Sequence, residues 1–280
     1  KFKSFNNIKF VIGDVRDKDA LLKVMQNVDY VVHAAATKIV PTAEINPFEC
    51  IKTNVVGAMN VIDVAIEKKV KKVIALSTDK ASNPINLYGA TKLAADKLFI
   101  STCSLSEANK TVFAVVRYGN VMGSRGSVIP FFLKSNKENK IIPITDIKMT
   151  RFMITLEQAI KLVWTAFSNS YGGEIYIKKI PSMSILDIAK SISSNAKTKI
   201  IGIRPGEKIH EQMVSEEDSP FTYEYNDYYK ILPAIDNLYK DRKRIGKGKK
   251  VENNFTYRSN TNLDWMKISE LKKWIKQNYK

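Results

Sequence analysis

Residues 72–99 of the chain read KVIALSTDKASNPINLYGATKLAADKLF. Their first part, Lys72–Leu76, is a largely apolar run that indicates a strand buried on both faces of a parallel sheet. Their last part, Leu87–Phe99, has apolar residues at helical spacing and is predicted to be a helix. A buried strand, a polar loop and a helix in this order are the repeating unit of an α/β fold.

The same alternation of strand and helix patterns extends to both sides of this stretch. Further strands are predicted at Ile8–Ile12, Tyr30–Ala34 and Thr111–Tyr118, the second of them buried on both faces. Further helices are predicted at Asp19–Met25 and Pro47–Glu67. Because such alternation requires right-handed crossovers, we predict an α/β fold with a doubly wound parallel sheet of the Rossmann type.

The alternation becomes less regular after about Val128. Helical patterns at Leu156–Phe167 and Ile185–Ser194 alternate with short strand patterns at Glu174–Ile177 and Lys199–Ile203. A length of 280 residues fits two domains at roughly 150 residues each. We therefore predict a Rossmann-type domain over residues 1–128 and a smaller mixed, substrate-binding domain over residues 129–280, partly interleaved with the first.

A glycine-rich loop typical of dinucleotide-binding folds is missing from the sequence. Such folds begin with a strand, a Gly-x-Gly-x-x-Gly turn and a helix within roughly 30 residues, and the sequence has no such element. The chain opens instead with a pattern that matches the third strand of such a sheet. We therefore expect the first βαβ unit to be missing, together with the residues that select NAD or NADP.

The composition is that of a soluble globular enzyme, with 44% hydrophobic and 26% charged residues. The net charge is +17, but only eight of the 45 basic residues are arginine, the side chain that best reads guanine edges and phosphates. We therefore expect no nucleic-acid partner, and we expect the basic stretch Lys240–Lys250 to be a solvated loop. A positive field would still attract an anionic substrate.

Membrane and metal functions are not indicated either. No apolar run approaches the roughly 18 residues of a membrane span, and no apolar segment follows the charged start, so we expect a cytoplasmic protein without a membrane partner. Cys50 and Cys103 are too few for a disulfide framework or a metal site. His33 and His210 are distant in sequence, so we interpret both as structural and predict no metal.

Tyr88 and Lys92 are four residues apart and would share one face of the predicted helix. The pKa of a phenol, near ~10, can fall by about one to three units beside a cation, so this pair could take the proton of a sugar hydroxyl. Tyr-x-x-x-Lys also occurs by chance in many helices. Here it follows a buried strand, at the edge where open α/β sheets bind ligands, which favours the catalytic interpretation.

The triplet Thr78-Asp79-Lys80 lies at the carboxyl end of the same strand. One interpretation is a helix cap followed by an exposed lysine. The other is an acid and a base for an elimination, in which the base takes the proton beside a ketone and the acid protonates the departing hydroxyl. For the second role we expect burial and nearby Lys92 to depress the pKa of Lys80 toward neutrality.

Three runs carry a resemblance to a known family: Ala75-Leu76-Ser77-Thr78-Asp79-Lys80-Ala81, Asn86-Leu87-Tyr88-Gly89-Ala90-Thr91-Lys92 and Arg117-Tyr118-Gly119-Asn120-Val121. They resemble the extended short-chain dehydrogenase/reductases and, more closely, the inverting UDP-N-acetylglucosamine 4,6-dehydratases, over nearly the whole chain. Many sugar-nucleotide dehydratases have Glu after the Asp, whereas this subgroup has Lys, as Lys80 is here. The membrane-anchored retaining relatives lack the tyrosine that is retained as Tyr88.

The resemblance implies a function and a set of partners. It implies UDP-N-acetylglucosamine as substrate, NADP as cofactor with NAD also open, and a homo-oligomer built from dimers, a hexamer in relatives. The implied product is UDP-2-acetamido-2,6-dideoxy-L-arabino-hexos-4-ulose, the first step toward pseudaminic acid for surface or flagellin glycans. Two alternatives stay open: a UDP-sugar 4-epimerase, which needs the tyrosine but not the Asp-Lys pair, and a non-catalytic nucleotide-binding regulator.

The resemblance also implies roles for individual residues. Tyr88, tuned by Lys92, takes the hydroxyl proton. Lys80 takes the C5 proton and Asp79 protonates the C6 hydroxyl, with Thr78 beside them. The implied cofactor-binding residues are Asp14, Val15, Ala34, Ala35, Ala36, Lys38 and Asn54, together with Tyr88 and Lys92. The implied substrate-binding residues are Lys38, Thr78, Asn120, Val121, Arg125, Gly126, Ser127, Val128, Thr150, Arg151, Arg204 and Glu207.

Residues 125–128 also have a chemistry of their own. A guanidinium followed by successive backbone N–H groups suits a diphosphate. A glycine turn beside a solvated arginine would have the same sequence, so this alternative stays open.

Overall fold

Strands and helices alternate from residue 18 to residue 118, as the parallel crossovers of an α/β fold require. A computed structural model describes residues 7–279, apart from the side chains of residues 104–109. The helices of this half are α1 (Lys18–Val24), α2 (Val40–Ile45), α3 (Pro47–Ile51), α4 (Gly57–Glu67) and α5 (Leu87–Asn109). The strands are β1 (Tyr30–His33), β2 (Lys72–Thr78) and β3 (Val112–Tyr118). A π-helical segment, Lys52–Val56, joins α3 to α4, and a 3-10 turn, Asp79–Ala81, follows β2.

The second half of the chain contributes shorter elements. Its helices are α6 (Val128–Lys137), α7 (Leu156–Asn169), α8 (Ile185–Ile192), α9 (Arg242–Ile245) and α10 (Ile268–Asn278). Its strands are β4 (Asn120–Val121), β5 (Ile142–Ile144), β6 (Thr150–Ile154), β7 (Ile175–Lys178), β8 (Ser182–Ser184), β9 (Thr198–Ile200), β10 (Gln212–Val214), β11 (Thr222–Glu224), β12 (Tyr228–Ile231), β13 (Lys249–Lys250) and β14 (Tyr257–Arg258). Among the described residues, no helix combines the length and apolar character needed to cross a bilayer.

A seven-stranded sheet in the order β1-β2-β3-β7-β12-β11-β13 organises the fold. Strands β1, β2, β3 and β7 pair in parallel, whereas β12, β11 and β13 extend the sheet in antiparallel fashion. Val73 and Ala75 of β2 pack in the cluster with α4 and α5, while Ile74 packs in the cluster with α7. The predicted doubly wound parallel sheet is confirmed, and the antiparallel extension is an addition that the sequence patterns did not indicate.

The first two predicted strands differ from the structure. β1 is an edge strand within the described residues, and its Tyr30 and Val32 are 58% and 47% exposed, so the prediction that it is buried on both faces is wrong. Residues 8–12 form no strand at all, and Ile12 is fully exposed. An apolar run becomes a strand only where a neighbouring strand takes its backbone hydrogen bonds, and the sequence pattern contains no information about that neighbour.

Three small sheets and a second hydrophobic cluster lie in the second half of the chain. The sheets have the orders β4-β6-β8, β5-β9 and β10-β14. Helices α6, α8 and α10 bury Ile129, Ile188 and Leu271 in a cluster of their own. The large sheet nevertheless takes β7, β11, β12 and β13 from the residues after 128, so both halves of the chain build it. The division at residue 128 stays a prediction.

The basic stretch at residues 240–250 is more ordered than the predicted solvated loop. It contains α9, and β13 pairs with β11 at the edge of the large sheet. Arg244 forms a 3.1 Å ion pair with Glu174, a carboxylate with no exposed surface. A buried carboxylate needs a cationic partner, and this requirement fixes one residue of the stretch against the sheet.

Candidate active site

Two adjoining cavities lie beside the carboxyl ends of β1, β2 and β3, the edge at which parallel sheets bind ligands. Among the predicted site residues, the first cavity, of about 530 Å³, is lined by Ala34, Ala36, Lys38, Thr78, Lys80, Tyr88, Lys92, Asn120, Val121, Gly126, Ser127, Arg204 and Glu207. The second, of about 410 Å³, shares Asn120, Gly126, Ser127, Arg204 and Glu207 with it and adds Val128 and Arg151. The predicted site residues that line neither cavity are Asp14, Val15, Ala35, Asn54, Asp79, Arg125 and Thr150.

The first turn of α5 packs directly against the 3-10 turn that follows β2. A Cβ atom at Gly89 would lie 2.3 Å from the carbonyl oxygen of Lys80, so a larger residue would force the two segments apart. Asn86 caps the helix, since its Oδ1 accepts the Gly89 N–H at 2.7 Å. This close packing puts Tyr88 and Lys80 on the wall of the same cavity.

Tyr88 and Lys92 both line the first cavity. The structure does not show the expected effect of Lys92 on the pKa of Tyr88. Burial raises the pKa of Tyr88 to about 12, while the Lys80 ammonium and a hydrogen bond with the Thr78 hydroxyl act in the opposite direction. Lys92 instead donates its Nζ to the Leu76 carbonyl oxygen at 2.8 Å. Lys80, not Lys92, is therefore the cation that acts against the rise in the pKa of Tyr88.

Lys80 lies between two buried carboxylates. Its Nζ is 3.1 Å from Asp79 Oδ1 and 3.0 Å from Glu211 Oε1, and the side chains of the two acids are 1% and 2% exposed. Thr78 joins the group, because its hydroxyl donates to Asp79 Oδ1 at 3.0 Å and accepts the Lys80 N–H at 3.3 Å. The helix-cap interpretation of Thr78 therefore holds, but the lysine that follows is largely buried.

Burial and the neighbouring charges together set the direction of each pKa in this group. Burial by itself lowers the pKa of Lys80, but the Asp79 and Glu211 carboxylates outweigh it and the pKa lies above its ordinary value. The expected depression of this pKa toward neutrality is therefore wrong. Burial raises the pKa of Asp79 above its usual range, against the effect of Lys80. Burial also acts to raise the pKa of Glu211, but Lys80 and Arg151 hold it below its usual range.

Asn54 lies on the π-helical segment and serves the cavity indirectly. Its Oδ1 accepts the Thr37 N–H at 2.7 Å, and its Nδ2 donates to the Thr37 carbonyl at 3.0 Å and to the Thr91 hydroxyl at 2.9 Å. These bonds tie the loop after β1 to α5. The amide is fully used in this way, and Asn54 holds the loop from behind the cavity lining. A π segment of this kind is frequent at functional sites.

The residues around β1 divide between cavity and core. Ala34 and Ala36 line the first cavity, with Lys38 beyond them on the same loop. His33 is 4% exposed and packs 5.7 Å from the Phe99 ring, and burial lowers its pKa to about 4. His33 is a packed core histidine, as interpreted from the sequence.

Asp14 and Val15, the predicted adenine-side residues, make other contacts in this structure. Asp14 accepts hydrogen bonds from the backbone and side chain of Arg16, which lower the pKa of its carboxyl. The Val15 side chain lies close to α4, because a Cβ atom at Gly57 would be 2.8 Å from Val15 Cγ2. Both residues lie outside the first cavity, and their role toward an adenine stays a prediction.

The second cavity combines polar groups with an apolar wall. Ser127 is the N-cap residue of α6, and its buried hydroxyl has no hydrogen-bond partner among the described residues, as is also true of Glu207 Oε2. Phe131 and Met149 contribute apolar surface that the sequence reasoning missed. An unpartnered hydroxyl at a helix N-terminus suits an anionic group.

Three predicted substrate residues have other surroundings. Arg125 is exposed and lines neither cavity, as in the alternative of a glycine turn with a solvated arginine. Thr150 is buried, and its hydroxyl is 2.9 Å from Nδ1 of His210. Arg151 reaches the second cavity while its guanidinium donates to the carbonyls of Lys208 and Ile209.

Glu211 is the site residue that sequence reasoning missed. It lies three residues after Lys208 in the sequence, and the residue as a whole is 1% exposed. Asp79, the first carboxylate partner of Lys80, is its neighbour in the sequence, but the sequence does not indicate which distant acid supplies the second one. Within the described residues, no cluster of His, Cys, Asp or Glu could hold a metal ion.

The sequence pattern of the polysaccharide biosynthesis protein family matches residues 1–233. The chain belongs to this family. One relative of the chain is UDP-N-acetylglucosamine 4,6-dehydratase (inverting) from Campylobacter jejuni, 54% identical over 270 residues, which are 94% of this chain and 81% of the relative. The resemblance to the inverting dehydratases is confirmed.

Two further comparisons show the range of proteins that the chain is similar to. UDP-glucose 4-epimerase from Rickettsia canadensis is 46% identical over 228 residues, which are 80% of this chain and 67% of the relative. The solved structure of Pen from Bacillus thuringiensis is 39% identical, with a TM-score of 0.88 over 99% of this chain and 84% of that one. The fold is therefore shared across proteins with more than one named activity.

Proposed function

We propose that this chain catalyses the 4,6-dehydration of UDP-N-acetylglucosamine with inversion at C5, giving UDP-2-acetamido-2,6-dideoxy-L-arabino-hexos-4-ulose. The observation that carries the proposal is the Asp79–Lys80 pair beside Tyr88, with Lys80 Nζ 3.1 Å from Asp79 Oδ1. Such a dehydration needs three groups that move protons at one sugar, and these three side chains supply them. The name of the 54% identical Campylobacter jejuni relative supports the choice of substrate and stereochemistry.

A nicotinamide dinucleotide, NADP in our proposal and NAD as the alternative, fits the residues of the first cavity. Ala34 and Ala36 present small side chains there, and Lys38 and Lys92 present cations. Small residues allow a cofactor to approach the backbone, and lysines suit its phosphates and ribose hydroxyls. When bound, the dinucleotide supplies a hydride acceptor for sugar C4 and a hydride donor for C6.

Tyr88 takes the proton of the C4 hydroxyl. The Lys80 ammonium favours the phenolate, so Lys80 assists this step even though burial raises the phenol pKa. The ketone that forms at C4 makes the C5–H bond acidic, which prepares the elimination.

Lys80 and Asp79 carry out the elimination. One proton moves from Lys80 Nζ to Asp79 along their 3.1 Å hydrogen bond and leaves an amine base next to a carboxylic acid. The amine takes the C5 proton, the C6–O bond breaks, and the acid's proton leaves with the hydroxyl as water. Because Asp79 is fully buried, its proton reaches the cavity through the Thr78 hydroxyl, which it contacts. The Tyr88 phenol, which holds the proton taken from the C4 hydroxyl, donates a proton to C5 on the opposite face, and this step inverts that carbon and regenerates the phenolate.

The second cavity accommodates the UDP group. Ser127 at the start of α6 and the guanidinium groups of Arg151 and Arg204 favour a diphosphate, and Phe131 offers an apolar face for a base. The shared lining residues join this cavity to the first, so a nucleotide sugar can span both.

Incubation with UDP-N-acetylglucosamine and NADP in deuterated buffer, followed by proton NMR from the earliest time points, tests the proposal. We expect a 4-keto-6-deoxy sugar with the ring couplings of the L-arabino isomer and deuterium at C5. Early appearance of the D-xylo isomer would contradict inversion, and formation of the galacto sugar would make the chain a 4-epimerase. A Tyr88→Phe variant should lose turnover by about a hundredfold or more.

Two other functions are distinguished by the same experiment. The 46% identity to a protein named UDP-glucose 4-epimerase favours an epimerase as second candidate, but epimerisation gives no role to the Asp79–Lys80 pair. A non-catalytic nucleotide-binding regulator would bind the sugar nucleotide and leave its NMR spectrum unchanged.

The setting of the enzyme completes the proposal. We propose a cytoplasmic homo-oligomer whose product enters pseudaminic acid synthesis, with residues 1–128 binding the cofactor and residues 129–280 mainly the substrate. Sedimentation analysis tests the oligomeric state, and complementation of a strain that lacks this dehydration step tests the place of the product in pseudaminic acid synthesis.

A further inference from the structure

Glu211 reaches the acid–base pair from a distant part of the chain. Its Oε1 is 3.0 Å from Lys80 Nζ and 3.8 Å from Arg151 Nε. Its Oε2 is buried and has no hydrogen-bond partner among the described residues, and the same is true of Asp79 Oδ2. Two buried acids, each with one oxygen that lacks a hydrogen-bond partner, therefore flank one lysine. Such an arrangement lowers the stability of the fold, which favours a functional role for it.

Several hydrogen bonds hold the segment that carries Glu211 against the catalytic turn. Asn86 Nδ2 donates to the Gly206 carbonyl and Lys208 Nζ donates to the Ser82 carbonyl, each at 2.7 Å. The Glu211 N–H donates to Ser259 Oγ at 2.9 Å, which fixes the backbone of Glu211 itself. The same segment supplies Arg204 and Glu207 to the cavity lining, so substrate binding and the position of Glu211 are linked.

We propose that Glu211 is a positioning residue of the dehydration: its carboxylate holds Lys80 Nζ beside Asp79. The inference rests on the proposed function, because it assigns Glu211 a part in that reaction. With Glu211 present, Nζ is held by two acceptors instead of one, and Asp79 is not required to be the sole counterion of Lys80.

The charges that face the pair support this role. They come from Glu211 and Lys208 of one segment, Arg151 of β6 and Tyr88 of α5. Glu211 acts to raise the pKa of Lys80 and of Asp79 alike, whereas Arg151 lowers that of Lys80. Removal of the Glu211 charge therefore makes both groups release the shared proton at lower pH.

The pH dependence of kcat in a Glu211→Gln variant tests the inference. Activity falls with rising pH once the pair loses its shared proton, so we expect the alkaline limb of the profile to move to lower pH by about one unit or more. We expect kcat at the optimum to fall about tenfold or more, with KM changed much less. A Glu211→Asp variant, which keeps the charge, should return the limb toward its original position.

A second measurement needs no turnover. Labelling with an amine-selective reagent near pH 9, read by mass spectrometry, should modify Lys80 faster in Glu211→Gln by about tenfold for each unit by which its pKa falls. The rate at Lys92, a buried lysine on α5, should stay unchanged. Glu174→Gln is the matched control, because it removes another fully buried glutamate from an ion pair away from the two cavities.

The outcomes separate the inference from the proposed function. If the unaltered chain fails to dehydrate the sugar but Lys80 labelling still responds to Glu211→Gln, the proposed function fails while the coupling of the two residues stands. If the alkaline limb and the Lys80 labelling rate are unmoved, or if Lys92 and Lys80 both label faster, Glu211 has a structural role and the inference is overturned.

Discussion

An Asn54→Ala substitution should destabilise the protein more than its size suggests. Three short hydrogen bonds are lost, two to the backbone of Thr37 and one to the Thr91 hydroxyl. Each such bond contributes about 1 kcal/mol net, so we expect the free energy of unfolding to fall by about 3 kcal/mol. At about 2 °C per kcal/mol for a chain of this size, the thermal midpoint should fall by about 6 °C.

Asn60→Ala is the matched control for this substitution. Asn60 lies on α4, and its Nδ2 donates at 3.0 Å to the carbonyls of Val15 and Arg16, which are near solvent. Water can replace these two bonds, so we expect a loss of about 1 kcal/mol or less. Thermal unfolding followed by circular dichroism compares the two variants directly.

The Asn54 variant should also bind dinucleotide more weakly, because Thr37 belongs to the loop that carries Ala36 and Lys38 into the first cavity. Isothermal calorimetry with NADP measures this effect, and Asn60→Ala should change the affinity less. A midpoint shift for Asn54→Ala no larger than that for Asn60→Ala would refute the argument that enclosed amide bonds fix the loop.

Two further predictions concern Lys80 and His33. Lys80→Ala should stop exchange of the C5 hydrogen with solvent deuterium, while C4 oxidation, followed by absorbance of the reduced dinucleotide, should slow without stopping because Lys80 also assists Tyr88. Lys97→Ala changes a residue that lines neither cavity and should leave both steps unchanged, and persistent C5 exchange in Lys80→Ala would mean that another group is the base. Burial lowers the pKa of His33 to about 4 from an ordinary value of 6.5, so the unfolded chain binds this proton more tightly and stability is lost as the pH falls between those values. Denaturant titrations of the unaltered protein should show that His33 lowers the free energy of unfolding by about 3 kcal/mol between pH 7 and pH 4. A His33→Leu variant whose free energy of unfolding falls by the same amount over this range would contradict the prediction.

The local pattern of the sequence determined the part of the fold that lies nearest the site. The apolar run of β2 and the helical period of α5 follow from side-chain periodicity within each element, so both were predictable. Tyr88 and Lys80 also reach the same cavity as predicted, because the spacing between a strand end and the next helix leaves little freedom.

The tertiary structure alone decided which charges meet. Nothing local to Lys80 indicates that Glu211 approaches it within 3.0 Å, or that Lys92 bonds to the Leu76 carbonyl instead of tuning Tyr88. The pKa of a buried group depends on charges a few ångström away in space, and those charges are supplied by segments far apart in the chain. The exposure of β1 and the absence of a strand at residues 8–12 have the same cause, since both depend on a neighbouring strand that a periodic pattern does not specify.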